Sequence, residues 1–374
     1  MHEKPPTILE HFSALTDPRV HLKTSHKLID IIVITICGTI CGADNWTEIV
    51  RYGRIKHQWL KEFLELPNGI PSHDTFGRVF SLLSPEEFQR CFLSWIQAVF
   101  TITDGQVIAI DGKKLRRSYD RSKDKSAIHM VSAWASDNGL TLGQVKTEEK
   151  SNEITAIPEL LELLEIKGCI VTIDAMGCQR KIAAQTVEKE ADYVLALKGN
   201  QGTLSEDVSL FFSDAIENKF KDIDFDYHET VDGGHGRVEI RRHWAVSDID
   251  WLDQKQDWKG LKTIGMVESE RHIDENVSIE KRFFIASISK DAELLGKAVR
   301  EHWGIENKVH WVLDVAFRED DSRIRKGNAA ENLAVIRHIG LNLLRSEKSQ
   351  RVGIKAKRKM AGWDNSYLQK VLEG

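Results

Sequence analysis

The chain has 374 residues, 41% of them hydrophobic and 29% charged, which is enough for two or three domains with hydrophobic cores and excludes a disordered protein. A net charge of -5 excludes a chain that coats nucleic acid through overall positive charge, so any such contact must come from local basic patches. Five cysteines, odd in number and without a C-x-x-C pair, point to a reducing cytosol and away from a disulfide framework or zinc cage. The opening MHEKPPTILEHF lacks the charged-then-apolar build of a signal peptide. The most apolar run, residues 28–41, is too short to span a bilayer and carries Asp30, so it is expected to be a buried helix of a cytoplasmic protein.

In chain order, residues 1–100 read as a small all-helical domain. Ser84-Pro85-Glu86-Glu87 is a helix start with a Ser cap and Pro at the first helical position, and Ser72-His73-Asp74-Thr75 is another. From residue 107 the texture changes. VIAID (107–111) and CIVTID (169–174) are short apolar runs of the kind buried on both faces of a sheet. AIHMVSAWA and LTLGQVKT flank a turn-forming Asn138-Gly139 and predict a hairpin, ITAIPELLELLE predicts an amphipathic helix, 178–190 another, and DYVLALKG a further strand.

Residues 201–289 read as a β-strand insertion, with GGHGR (233–237) as a tight connection between its first two strands. Helical periodicity resumes at 292 and continues to about 344. A basic tail, 346–374, completes the chain. Its approach, 345–359, holds seven Lys or Arg against one Glu, either a DNA-binding arm or a solubilising tail. The fold expected is α/β, a mixed sheet with helices over 101–200 plus 290–345.

Both buried runs deliver an acid at a carboxyl end, Asp111 and Asp174, where ligands sit in open α/β sheets. Each Asp alone is more often a turn former or helix cap. On the helix from 292, Leu295, Val299, His302, Glu306, Val309 and Leu313 fall on one stripe, which places Glu306 toward the sheet. A carboxylate packed there requires a metal or a cationic partner. Three converging carboxylates suit two divalent cations, with Mg²⁺ preferring such hard oxygen ligands. Such a pair can activate a water or 3′-hydroxyl and stabilise the leaving oxygen of a phosphoryl displacement. Lys113, Lys114, Arg116 and Arg117 follow Asp111 directly and are expected to contact phosphate. His302, Glu306 and His310 also share a helix face at i, i+4, i+8, but three ligands on successive turns span about 12 Å of rise and cannot share one zinc.

IAIDGKKLRRS, VTIDAMGCQ, VLALKGNQ and REHWGIENKVHWVLDVAFREDDSRIRKGNAAENLAVIRHIGLNLL resemble the DDE transposases of bacterial insertion sequences, specifically the H-repeat-associated branch found with Rhs elements. The likeness runs from TILEHF to about residue 344. It implies an RNase H-like catalytic domain interrupted by the β-rich insertion, with Asp111, Asp174 and Glu306 as catalytic, Mg²⁺-binding acids and Mn²⁺ able to substitute. It further implies an amino-terminal DNA-binding domain, double-stranded DNA (transposon ends and target) as partner, no membrane, and a homodimer on DNA. The Tyr, Arg and Lys that the broader family carries seven and four residues before and seven after the Glu are here Val299, His302 and Leu313. His302, Asn307, Lys308 and His310 are the residues expected to grip the ends instead. The alternatives are a decayed or domesticated transposase that only binds DNA, and a metal-dependent nuclease that cuts without joining.

Overall fold

A computed structural model describes residues 8–20, 24–100, 103–119, 126–147, 153–234 and 236–373. Before the first strand every element is helical: α1 (Ile8–Phe12), α2 (Leu28–Ile40), α3 (Trp46–Ile55), α4 (His57–Leu60), α5 (His73–Leu82) and α6 (Pro85–Val99). The expected caps are in place. Ser72 accepts from the Thr75 N–H and Ser84 from the Glu87 N–H, each satisfying an amide that the first helical turn leaves without a partner. The apolar run is α2, buried on all sides, and Asp30 within it survives burial because its Oδ2 accepts the Leu66 N–H at 3.0 Å.

A nine-stranded mixed sheet follows, in the order β3-β2-β1-β4-β5-β9-β8-β7-β6. β1 (Val107–Lys114) lies between β4 (Ile170–Ile173), parallel to it, and β2 (His129–Ala135), antiparallel. β2 and β3 (Leu140–Lys146) form the expected hairpin, with Gly139 at φ +69° in its turn. β4 continues in parallel to β5 (Asp192–Leu197), and α7 (Glu153–Leu163) and α8 (Arg180–Glu188) make the crossovers.

The segment 201–289 departs from expectation twice. Its first part is a helix, α9 (Thr203–Glu217), whose Leu204, Val208, Phe212 and Ala215 make a buried stripe. Its strands β6 (Phe225–Gly234), β7 (Arg237–Val246), β8 (Thr263–Ile273) and β9 (Asn276–Ala286) extend the same sheet, because β9 pairs antiparallel with β5 from Val194↔Ala286 to Leu197↔Phe283. The β6–β7 register closes at Gly234↔Arg237, as GGHGR suggested, although His235 lies outside the described residues.

The helix from 292 is interrupted. α10 (Ala292–Gly304) passes into a π-helical stretch, Ile305–His310, then α11 (Trp311–Phe317), and stops at Arg318 in the left-handed region, φ 51°. α12 (Ala329–Ser346) is then buried along nearly its whole length between the amino-terminal helices and the sheet. Asn332 Nδ2 donates to the Phe80 and Leu83 carbonyls at 3.0 and 3.1 Å, and Asn342 exchanges two 2.9 Å hydrogen bonds with the Thr141 backbone of β3.

Residues after 346 are not an extended arm. They form α13 (Ile354–Trp363) and α14 (Asn365–Glu373), and two of the expected surface cations are core groups. Arg358 caps α2 through the Thr39 carbonyl at 2.7 Å, pairs with Asp44 at 3.3 Å and lies 4.2 Å over Phe317. Lys357 donates to the Leu344 carbonyl at 2.9 Å. A guanidinium or ammonium so placed satisfies carbonyls that helix ends leave open, which sequence spacing does not reveal.

Candidate active site

The parallel pairing of β1 with β4 stops at Ile110↔Ile173, so Asp111 and Asp174 leave adjacent strands at the same level. β4 ends there, but β1 does not. It continues to Lys114 against β2, with Asp111 opposite Ser132. The strands separate at the two acids, and a cavity of about 460 Å³ opens where they part. Asp111, Asp174 and Glu306 all line it, with His302, Lys198 and Arg282.

Asp174 is fixed by its own turn, since its Oδ1 accepts the Met176 and Gly177 N–H groups at 3.0 and 3.2 Å. Gly177 makes that turn possible, because a Cβ there would stand 2.2 Å from the Ile173 side chain. Burial raises the Asp111 carboxyl to about 7, the Gly112 N–H opposes it, and the charges of Glu153, Asp174 and Glu306 add to the rise.

Glu306 corrects the helical-wheel reading. It is exposed, not packed against the sheet, while Ile305, Val309 and His310 are the buried residues of the π stretch. Ile305 takes the inward place between His302 and Val309, while Val309 and Leu313 stay buried as expected, and Glu306 beside it lines the cavity. No buried cationic partner is then required, and an exposed carboxylate keeps its hydration until a ligand arrives.

The other expected contacts divide. Lys113 is not available to phosphate. Its ammonium is buried beneath β1, bonded to Asp314 and, at 2.8 Å, to Glu319, with Asp320 at 3.9 Å and Arg337 3.6 Å from Glu319. Lys114 is exposed. Arg116 is 80% exposed beside Asp320 at 3.1 Å, and Arg117 pairs with Asp321 at 3.3 Å. His302 turns inward, its Nδ1 3.1 Å from Thr172 Oγ1, and burial lowers its pKa against the pull of Asp174. His310 is buried with Nδ1 3.5 Å from Asp111 Oδ2. Burial, then Lys113 and His338, lower it to about 3, so this contact is with a neutral ring. Asn307 is exposed and donates to the Trp303 carbonyl of its own helix at 3.1 Å, and Lys308 lies 5.3 Å over the Trp134 ring.

The sequence reading missed three neighbours. Glu153, buried at the start of α7, accepts from or pairs with His129 at 2.9 Å, and a Cβ on Gly112 would fall 2.1 Å from its Oε1. Lys198 and Arg282 come from β5's end and β9. The former stood in the VLALKGNQ motif without being singled out, and the latter looked like an ordinary strand cation. Among the described residues no three His, Cys, Asp or Glu side chains are grouped closely enough, as they stand, to hold one ion.

Two strand-end acids and a helical acid thus line one cavity, and comparison with known proteins supplies the class. The family profile "Transposase DDE domain" matches residues 95–343, and "DDE_Tnp_1-associated" matches 9–96. "Putative transposase YncI" of Escherichia coli O157:H7 is 46% identical over 371 residues, covering 98% of this chain and 94% of that protein. "H repeat-associated putative transposase YhhI" of Escherichia coli K12 is 43% identical over 378 residues, covering 98% of each. Among solved structures, a piggyBac transposase synaptic complex with hairpin DNA overlaps at a TM-score of 0.42 and 12% identity, over 98% of this chain and 79% of that one. The chain belongs to the transposase DDE domain family and is a transposase, similar to the H-repeat-associated members. Among the described residues no helix is long and apolar enough to cross a membrane.

Proposed function

We propose that this transposase catalyses divalent-metal-dependent cleavage and strand transfer of double-stranded DNA at insertion-sequence ends, with Asp111, Asp174 and Glu306 as the metal-binding acids. The observation that carries this reading is the single cavity lined by the three carboxyl groups, reached from two parallel strand ends and a π-helical turn. The donors fit a hard cation. They are carboxylate oxygens only, and the mutual repulsion that helps hold Asp111 up is what a divalent ion would relieve. Bound there, Mg²⁺ or Mn²⁺ would polarise the scissile phosphate and lower the cost of forming the attacking oxyanion.

The chain's own residues then do the rest. Asp111 and Asp174 are held on rigid backbone, the first by β2 pairing and the second by its turn, so they keep their geometry without reorganisation. Glu306, exposed on a π turn, is the acid with freedom to turn toward a ligand. Lys198, Lys114, Arg116 and Arg117 supply positive charge for phosphates entering the cavity, and Lys113 holds β1 from below. We read residues 101–200 with 290–345 as an RNase H-like core and 1–100 as a helical unit that aids DNA binding, the homodimer coming from the need to cut two ends.

The test uses the purified chain with duplex carrying the inverted repeats that flank its gene, in Mg²⁺ or Mn²⁺. Asp111→Asn, Asp174→Asn and Glu306→Gln are each expected to lower strand cleavage by at least about a thousandfold while duplex affinity in EDTA changes less than about threefold. Cleavage surviving in any of the three removes that acid from the site. Nicked ends without joined products would make the chain a nuclease, and tight binding with no cleavage a DNA-binding relic.

A further inference from the structure

A second cavity, about 610 Å³, lies away from the acids, between α5 and the segment 322–328 that leads into α12. Four cations line it, Arg78, Arg323, Arg325 and Lys326, against one carboxylate, Asp74. Arg78, Arg323 and Lys326 are exposed. In a chain of net charge -5, four cations around one trough against a single carboxylate form a local basic patch of the kind that meets phosphate.

The walls are held rigidly. The Asn328 N–H donates to the Ser81 carbonyl at 3.2 Å and Asn328 Nδ2 to the Leu83 carbonyl at 3.0 Å, both at the end of α5. Gly327 sits at φ +53°, and a Cβ there would stand 2.4 Å from the Ser81 carbonyl oxygen, so only glycine lets the loop lie this close. Trp46, half-buried, forms the edge of the groove. It packs on Phe80 at 5.1 Å and against Gly77, whose missing side chain makes room for the indole. The groove is also joined to the segment that follows β1. Arg325 Nε donates to the Arg117 carbonyl at 2.8 Å and its guanidinium lies 4.9 Å from the Tyr119 ring.

We propose that this groove seats the sugar-phosphate backbone of a DNA duplex outside the catalytic cavity, with Arg78, Arg323 and Lys326 as its phosphate contacts. The inference rests on the reading that the chain acts on DNA. Three cations on fixed backbone, spaced around an open trough, match a line of phosphates better than a compact anion. The contacts therefore position the duplex and are indifferent to its sequence.

The experiment is fluorescence anisotropy of the full chain on a labelled 30-base-pair duplex of unrelated sequence, in EDTA, across a series of NaCl concentrations. The variant is R78Q/R323Q/K326Q. The control is K61Q/K219Q/K221Q, which removes the same charge from exposed lysines outside the groove. Each lost phosphate contact lowers the slope of log affinity against log salt by about 0.9, so the groove variant is expected to lose about 2 to 3 from the slope and to bind about tenfold or more weakly at moderate salt. The control should keep the wild-type slope. Equal slopes for wild type and groove variant would overturn the proposal, as would wild type that binds no duplex at low salt or a control that falls as far as the variant. Single-stranded RNA of equal length, bound more tightly than duplex and weakened by the same substitutions, would reassign the groove to RNA. Because the readout needs no metal, loss of cleavage with groove-dependent binding intact would refute strand transfer alone.

Discussion

Lys113→Met removes the cation around which Asp314, Glu319 and Asp320 are gathered. The Lys113 side chain is 10% exposed and that of Glu319 2%, so the carboxylate cannot recover its lost partner from water. Removing one partner of a buried pair costs about 3–5 kcal/mol. The lower end applies here, since Arg337 stays 3.6 Å from Glu319 and the more open Asp314 and Asp320 can hydrate. Titration points the same way. Burial alone would raise Glu319, yet Lys113 and then Arg337 hold it at about 2, against 4.5 when unfolded. A carboxyl depressed in the folded state contributes stability above the unfolded value. Wild type should therefore lose this contribution as pH falls from about 4.5 toward 2.

Thermal and urea unfolding at pH 7 should place Lys113→Met about 3 kcal/mol below wild type, with strand cleavage lost as well because β1 carries Asp111 two residues earlier. Lys113→Met combined with Glu319→Gln should recover part of the loss, since it no longer strands a charge. A single variant within about 1 kcal/mol of wild type, or a double variant as unstable as the sum of the two, would refute the reasoning.

Glu306→Gln should leave the unfolding midpoint within about 0.5 kcal/mol of wild type, because the carboxylate is exposed; a clear drop in the melt would contradict the π-turn placement. Gly304→Ala places a Cβ 2.4 Å from Trp134 Cζ3, an overpacking expected to cost about 1–3 kcal/mol by urea unfolding and to ease when Trp134 is also changed to Leu. His338, hydrogen-bonded to Thr141 Oγ1 at 3.0 Å, is lowered by burial to about 4. The unfolded chain takes up that proton first, so wild type should lose stability as pH falls from about 6.5 to 4. His338→Gln should show a flatter profile over that interval, and an unchanged slope would exclude His338 as the source.

The amino-acid sequence by itself determined the parts whose signal is local. Two apolar runs ending in Asp111 and Asp174 became adjacent parallel strands, Asn138-Gly139 closed its hairpin, Ser72 and Ser84 capped their helices, and the run at 28–41 became a buried helix. Each depends on burial periodicity or on hydrogen bonds within a few residues, which a single chain displays in order. Tertiary structure decided the rest. Glu306 looked buried because a wheel places 305 and 306 almost equally toward the inside, and packing gave that place to Ile305. Lys113 and Arg358 looked like surface cations because their partners, Glu319 and the Thr39 carbonyl, are 206 and 319 positions away. Glu153 came beside Asp111, and β9 beside β5, only through long-range packing. A charged side chain carries the same local signature whether water or a distant partner satisfies it, so the fold alone settles which one does.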